Sequence, residues 1–496
     1  MNFVLNFPLF AVVMCLISSV VSSVLPGKIA RRLAMTLYAA IAVMNACVLA
    51  YTSAAGEAFS YMMGHYPQPW GNELKIGILE PMFSMAFSVV LLLTVVGGKR
   101  QLNTDLQPEK SNLYYVLTDL IQAALLVLVY TNDLFTGYVF IEICTIASCG
   151  ILMIRQVGRT TLASVRYMIF SLVGSGLFLF GVIVLYNITG HLLMPGIKET
   201  VAELWAAGEY RVPLTTGICL VTIGLSIKSG LFPFHFWMPD TYAFGTPSSS
   251  GILSGLVSKG YIFLLIKSIY SVFGTEVFYA SGVQNLLYVF GALGIIFGSV
   301  AAIRENNIFR MTAYSSAAQI GYIYLGIGVS PVGGVTAALF HVLTHAVTKP
   351  MLLLAAAQLT DMIGGKKRFR DLQGTGHVHR SAGVAFAVGS LSMIGIPFTI
   401  GFMSKYLFAA SAFDGGWRLM PTLLVLAVST ILNTFYFGRT LIRLYNKPLT
   451  PLRGPVRFRE NRSYTVSAAA MILLNIGVGV CSQPVVSLIS RGLLLL

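Results

Sequence analysis

Apolar residues run together along this chain in stretches of about twenty, separated by short segments that carry the charges. A bilayer core takes about 20 apolar residues per helix. On that measure the chain predicts fourteen spans, near 2–25, 30–52, 78–97, 112–131, 133–153, 163–188, 212–235, 246–271, 277–302, 308–327, 331–359, 381–410, 417–438 and 466–490. The first has no basic stretch before it and reads as a retained span, not a cleaved signal peptide. A membrane β-barrel would alternate polar and apolar residues instead. The expected fold is an all-α polytopic membrane protein.

Composition agrees. The 496 residues are 56% hydrophobic and 10% charged, against about 25% charged in soluble domains. A water-soluble enzyme and a disordered chain are both excluded. The net charge of +15 reads as basic loops holding one side of a membrane protein, not as a nucleic-acid surface. With both termini placed outside, twenty-three of the 33 Lys+Arg fall in inside loops and five outside. The inside set includes Arg453, Arg457 and Arg459. A missed span would have reversed the alternation and blurred that ratio. The expected location is the cell membrane. All six cysteines lie in apolar runs without a CxxC pair, so neither iron–sulphur nor structural zinc sites are expected.

Five lysines remain, and all sit within spans: Lys228, Lys259, Lys267, Lys349 and Lys405. A charge deep in a bilayer costs several kcal/mol and normally faces the protein interior for a purpose. Glu142, in the fifth span, has no basic residue within a turn, so its partner must come from another helix. Lys267 lies near its span end and is expected to snorkel to the interface. Glu80 and Asp119 also fall near interfaces and read equally as structural or functional. For Glu142, Lys228 and Lys405 a purely stabilising ion pair is a poor trade. Proton exchange fits better, because moving buried opposite charges together or apart changes how firmly each holds a proton.

His341, His345 and Lys349 recur at i, i+4 and i+8, along one helix face. Zinc would need a third ligand and would be opposed by the lysine; a proton relay suits histidine better than a metal or an inert core. Pro233 and Pro397 interrupt the seventh and twelfth spans, which also carry Lys228 and Lys405. Such breaks are tolerated where protein or a water-filled cavity satisfies the freed backbone. Two of them five spans apart suggest two inverted five-helix repeats. The expected units are 1–111, 112–271 (spans four to eight), 272–442 (spans nine to thirteen) and 443–496, the last a basic loop with the final helix.

At these residues the chain resembles a known family. It comprises the antiporter-like membrane subunits of Mrp-type Na+/H+ antiporters, membrane-bound hydrogenases and respiratory complex I. The matching pieces are Asn132 to Glu142, Lys228 to Asp240, Pro247-Ser-Ser-Ser with Ser258-Lys259-Gly260, Ala313-Tyr-Ser-Ser, His341 to Lys349, and Gly395-Ile-Pro with Gly401 to Lys405. They run in order over about 112–440. The resemblance implies that Glu142 and Lys228 form the charge pair of a first half-channel. Lys259 would connect it to His341, His345 and Lys349, which carry protons laterally, and Lys405 would serve a second half-channel. Asp133, His235 and Asp240 fall in the matching pieces as accessory residues. The segment around Glu142 and the chain length look most like the Mrp D subunit or its hydrogenase counterpart, while Lys405 departs from complex I subunits carrying Glu there. Phe398, for the second proline of a usual Gly-Ile-Pro-Pro, and Cys149, where an aromatic is common, depart from the family pattern.

The function expected is that of a proton-translocating subunit in a larger membrane complex, with other integral membrane subunits as partners and H+, with or without Na+, as cargo. No cofactor or metal site is expected, so redox chemistry would belong to partner chains. Rival readings are a gradient-driven antiporter, which shares the same proton-handling core, a structural subunit, which would have lost the buried charges, and a carrier of organic solutes.

Overall fold

The computed structural model describes residues 3–66, 71–447 and 461–496; Arg453, Arg457 and Arg459 of the expected basic loop lie outside the described residues. The chain opens with α1 (Phe7–Val24) and α2 (Gly27–Ala55). A short antiparallel hairpin follows, β1 (Phe59–Met62) with β2 (Glu73–Ile76), which the hydropathy pattern did not predict. Next come α3 (Leu79–Gly97), α4 (Lys99–Asp105), α5 (Ser111–Tyr130), α6 (Leu134–Met153) and α7 (Gly158–Thr189). Beyond them lie α8 (Met194–Ala207), α9 (Arg211–Ser229), α10 (Met238–Phe244), α11 (Pro247–Ile252), α12 (Ser258–Ser268) and α13 (Thr275–Ala280). The second half holds α14 (Val283–Arg304), α15 (Ile308–Val329), α16 (Gly333–Asp361), α17 (Thr375–Val378), α18 (Arg380–Ile394), α19 (Ile400–Ala412) and α20 (Leu419–Tyr445). The chain closes with α21 (Arg462–Val480) and α22 (Ser482–Leu493).

Twelve helical segments among the described residues are long and apolar enough to cross a bilayer. One of them, Ile400–Tyr445, is a hairpin of α19 and α20, since Lys405 reaches Thr430 across its turn. Dividing it there, with α18 joined to its first arm, and adding α15 recovers the fourteen predicted spans. The tenth, α15, is less apolar because it is enclosed by protein almost throughout; a helix that meets no lipid can carry Thr312, Ser315, Ser316 and Gln319. The fourteenth span ends earlier than expected. It stops at Val480, and the separate helix α22 is amphipathic, with Ile489 and Gly492 turned inward.

The centre of the molecule is α16. Every residue from Gly334 to Thr360 is buried, and the helix packs against α3, α11, α15, α18, α19 and α21. The side chains assigned to inside loops meet at one end of the bundle. Arg155 pairs with Asp105, Arg166 and Arg310 both clasp Asp240, and Arg439 donates to the Glu305 carbonyl. Predicted outside groups meet at the other end: Lys75 binds the Leu496 carbonyl, and Arg418 binds Asn285.

Two spans are broken, at Pro233 and Pro397, whereas α16 runs unbroken through Pro350. α9 ends at Gly230 (φ 84°), and the chain passes through Pro233 before α10. α18 ends at Gly395 (φ 93°), and Pro397 precedes α19. Left-handed backbone favours glycine, which lacks a Cβ to clash. A third span bends less openly: a π-helical turn over Leu253–Val257 joins α11 to α12, facing Pro350 of α16.

Candidate functional site

Each break places an amine. Lys228 occupies the last turn of α9, where the helix dipole favours a cation. Its Nζ donates to Thr145 Oγ1 on α6 at 2.8 Å and to the Ser171 carbonyl and Ser175 Oγ on α7, both at 3.1 Å. It also lies 5.3 Å from the centre of the Tyr261 ring on α12. Lys405 lies beyond the other break, and its Nζ donates at 2.7 Å to the Ile394 carbonyl, one of those freed at the end of α18. A second bond, 2.9 Å, goes to Thr430 Oγ1.

Lys228 sits so deep because α7 and α9 approach closely at Gly174 and Gly224. A Cβ on Gly224 would stand 2.6 Å from the Gly174 carbonyl oxygen and 2.7 Å from the Phe178 nitrogen. Gly224→Val is therefore expected to force the helices apart, lowering the thermal midpoint and costing about 1–3 kcal/mol. Thermal unfolding of the detergent-solubilised protein checks it.

Between the two breaks stand the other expected residues. Lys259, at the start of α12, donates to the Ser254 carbonyl and to Ser258 Oγ. Ser254 Oγ meets Ser316 Oγ of α15 at 3.1 Å. The neighbouring Ser315 hydroxyl accepts from Lys349, which also reaches the Thr312 carbonyl at 3.3 Å. His341 Nδ1 lies 2.7 Å from Ser404 Oγ, next in sequence to Lys405. The His341 and His345 rings are 6.4 Å apart, and Tyr322 stacks on His341 at 5.5 Å. A row of amines, imidazoles and hydroxyls thus runs across the molecule from α9 to α19, with unbonded gaps between Lys228 and Lys259 and at His345.

All of these except Lys405, which is half-buried, are enclosed. Among the described residues, none of Lys228, Lys259, Lys349 and Lys405 forms an ion pair with a carboxylate within 4.0 Å. Several polar atoms along the row are buried without a partner among the described residues: Tyr261 Oη, Tyr322 Oη, His341 Nε2 and both ring nitrogens of His345.

The structure departs from expectation at four places. Glu142 is half-buried and is not in ion contact with Lys228. It stands three residues, about one turn, from Thr145, the α6 residue that Lys228 contacts. It also lies on the outward stripe of α6 with Phe135, Val139 and Ile146, which are 47%, 38% and 69% exposed. Lys267 does not snorkel. It is fully buried and pairs with Glu80 at 3.2 Å, while donating to the Val129 carbonyl at 2.9 Å. Asp119 is not interfacial either: it is buried midway along α5, accepting from Ser18 and Tyr38, each at 2.6 Å. Asp240, with its two arginines, is a clamp at the basic end and stands apart from the row.

The remaining accessory residues are more peripheral. Asp133 caps α6 through the Thr136 N–H and lines a cavity of about 790 Å³ with Asn72, His191 and Glu199. Burial raises its carboxyl above the usual range, against the pull of the Thr136 and Phe135 bonds. His235 is buried in a 3-10 turn just past the first break, stacked between Phe232 and Phe236, with Nδ1 unpartnered. Sequence reading missed Thr145, Ser171, Ser175, Ser315, Ser404 and Thr430. Isolated hydroxyls in apolar helices carry no pattern that ties them to a distant lysine.

The family described as NADH:quinone oxidoreductase/Mrp antiporter, TM, matches residues 131–432, which contain the whole row. The chain belongs to this family. Across this member, the NADH-quinone oxidoreductase subunit N of Desulforudis audaxviator is 34% identical over 459 residues, covering 90% of the chain and 88% of that protein. The fold is shared with chains of lower identity. A subunit in the Mrp complex of a Dietzia species superposes with a TM-score of 0.87 at 21% identity, covering 99% of this chain and 97% of that one. A chain of the archaeal membrane-bound sulfane sulfur reductase does so with the same score at 22% identity, covering 99% and 97%.

Proposed function

We propose that this chain is the proton-translocating subunit of a multisubunit membrane complex, moving H+ along the row from Lys228 to Lys405. The observation that carries the reading is the row itself: four membrane-embedded amines, bonded to hydroxyls and carbonyls and not to carboxylates, with two imidazoles set among them. A buried amine in that setting gains no ion-pair energy, so stability alone does not account for it, whereas reversible loss of its proton does. Buried polar groups are nearly always hydrogen-bonded, and water at His345, Tyr261 and Tyr322 completes the path.

Protons enter through one broken helix and leave through the other, and the approach of Glu142 to Lys228 sets how firmly that amine holds its proton. The two halves, 112–271 and 272–442, work as an inverted pair around the central α16. Glu142 on an outward apolar stripe supports a neighbouring membrane subunit at α6, because a carboxylate facing lipid is costly. The basic loops face the cytoplasm and both termini face the other side, as the positive-inside bias supports.

The test is proton flux in proteoliposomes holding the whole complex. Lys405→Met is expected to lower coupled flux by roughly tenfold or more, with subunit composition unchanged; undiminished flux would sink the reading. Relatedness to a subunit N over 90% of the chain supports a redox-driven complex over a gradient-driven antiporter. Mass spectrometry of the purified complex decides between them. Iron–sulphur, flavin or nickel–iron subunits would establish the former, and small hydrophobic subunits alone the latter.

A further inference from the structure

The basic end of α20 carries a feature that proton transfer does not use. A cavity of about 770 Å³ opens on the outer face of this helix, where Arg370, Arg439 and Arg443 meet the apolar side chains of Ile431, Phe435 and Ile442. A second cavity, about 470 Å³, adjoins it and shares Arg370 and Arg443.

Positive charge here is poorly compensated. The Asp371 carboxylate lies 3.8 Å from Arg370 Nε. Arg439 donates to the Glu305 carbonyl, but its Nε is buried without a hydrogen-bond partner. Arg443 stands 6.0 Å from the Phe369 ring, and among the described residues its guanidinium has no hydrogen bond or ion pair. Arginine's fork suits phosphate oxygens better than a point charge does.

The apolar part has a definite length. Ile431, Phe435 and Ile442 are 57%, 65% and 62% exposed and lie on one stripe of the helix. From Ile431 to Ile442 the helix rises about 16 Å, close to half of a hydrocarbon core of about 30 Å. That is one leaflet. Gly438 lies in the same wall with open space where a side chain would stand, which leaves a channel from the arginines to the apolar stripe.

We propose that this groove binds an anionic phospholipid, its acyl chains along the α20 stripe and its headgroup phosphates on Arg370, Arg439 and Arg443. The two adjoining cavities favour a headgroup with two phosphates over one. Basic pockets beside membrane helices on the positive side are suited to such lipids. An acidic segment of a partner protein would match the arginines but leave the leaflet-deep stripe unexplained.

The experiment is native mass spectrometry of the full chain within its complex, delipidated and offered diphosphatidylglycerol, phosphatidylglycerol and phosphatidylcholine at equal concentration. Diphosphatidylglycerol is expected to bind with a preference of roughly tenfold over phosphatidylcholine. Arg370→Ala with Arg443→Ala should remove that preference. Gly438→Leu, which keeps every arginine and fills the channel, should weaken binding as well. Equal binding of all three lipids overturns the proposal, as does unchanged binding in Gly438→Leu. Full displacement of the lipid by millimolar inorganic phosphate would show a bare anion site and overturn it too. Loss of a protein subunit instead of a lipid in the arginine variant would assign the groove to that partner.

Discussion

Replacing Lys228 by alanine is expected to abolish coupled proton transport, by roughly a hundredfold or more, the usual worth of a positioned proton-transfer group, while the protein still folds and assembles. The groups around the amine allow this. Thr145 Oγ1 also donates to the Ile141 carbonyl at 2.8 Å, and Ser175 Oγ to the Ser171 carbonyl at 2.7 Å. Removing Lys228 therefore strands no charge and leaves these hydroxyls bonded within their own helices. Glu142 is unaffected structurally, because it is not in ion contact with the amine. Flux in proteoliposomes, measured beside the elution profile and thermal midpoint of the purified complex, separates the two effects. Normal flux, or a complex that fails to assemble, would contradict this account.

Lys267→Met is expected to do the opposite. Lys267 and Glu80 are buried on facing helices, 3.2 Å apart, with exposures of 0% and 1%. Methionine fills most of the lysine's volume, but Glu80 keeps a charge that only the Gly77 N–H at 2.9 Å then satisfies. Breaking one side of a buried pair costs about 3–5 kcal/mol, a large share of any protein's stability. The yield of folded protein and its thermal midpoint should fall sharply. Adding Glu80→Gln removes the stranded charge and should recover most of the loss, since replacing both partners is far cheaper than replacing one. A double variant no better than the single one would show that the pair matters for another reason. Two lysines in neighbouring stretches of the chain thus differ in setting, one paired with a buried carboxylate, the other bonded to hydroxyls and a carbonyl.

That distinction was not legible in the sequence. Spans, their alternation and the two broken helices could be read, because each rests on a local pattern: apolar length, the side of the basic loops, or proline next to glycine. The amines of the row could be read as well, since a lysine deep in an apolar run is conspicuous. What a buried charge touches is decided by tertiary contacts. The place of Lys267 near a span end predicts snorkelling, and only the packing of α12 against α3 shows that Glu80 meets it. Asp119 looked interfacial for the same reason, yet it accepts bonds from Tyr38 and Ser18 across two helices. The resemblance implies a pairing of Glu142 with Lys228, whereas here the two are not in ion contact; how close two helices bring such groups depends on their relative rotation, which a motif on one of them does not carry. α22 was merged with the last span, since an amphipathic helix that follows directly upon an apolar one continues its hydropathy.

The hydroxyls that join the row bear on its timing. A serine or threonine hydroxyl has one O–H to donate, so a proton relayed through Ser315, Ser404 or Thr145, as proposed above, would leave each O–H pointing back the way the proton came. A second proton cannot follow until those groups have swung back. Such a chain would act as a turnstile and not as a wire: it would admit charges one by one, each waiting for the hydroxyls to turn back and for the end lysines to be reset.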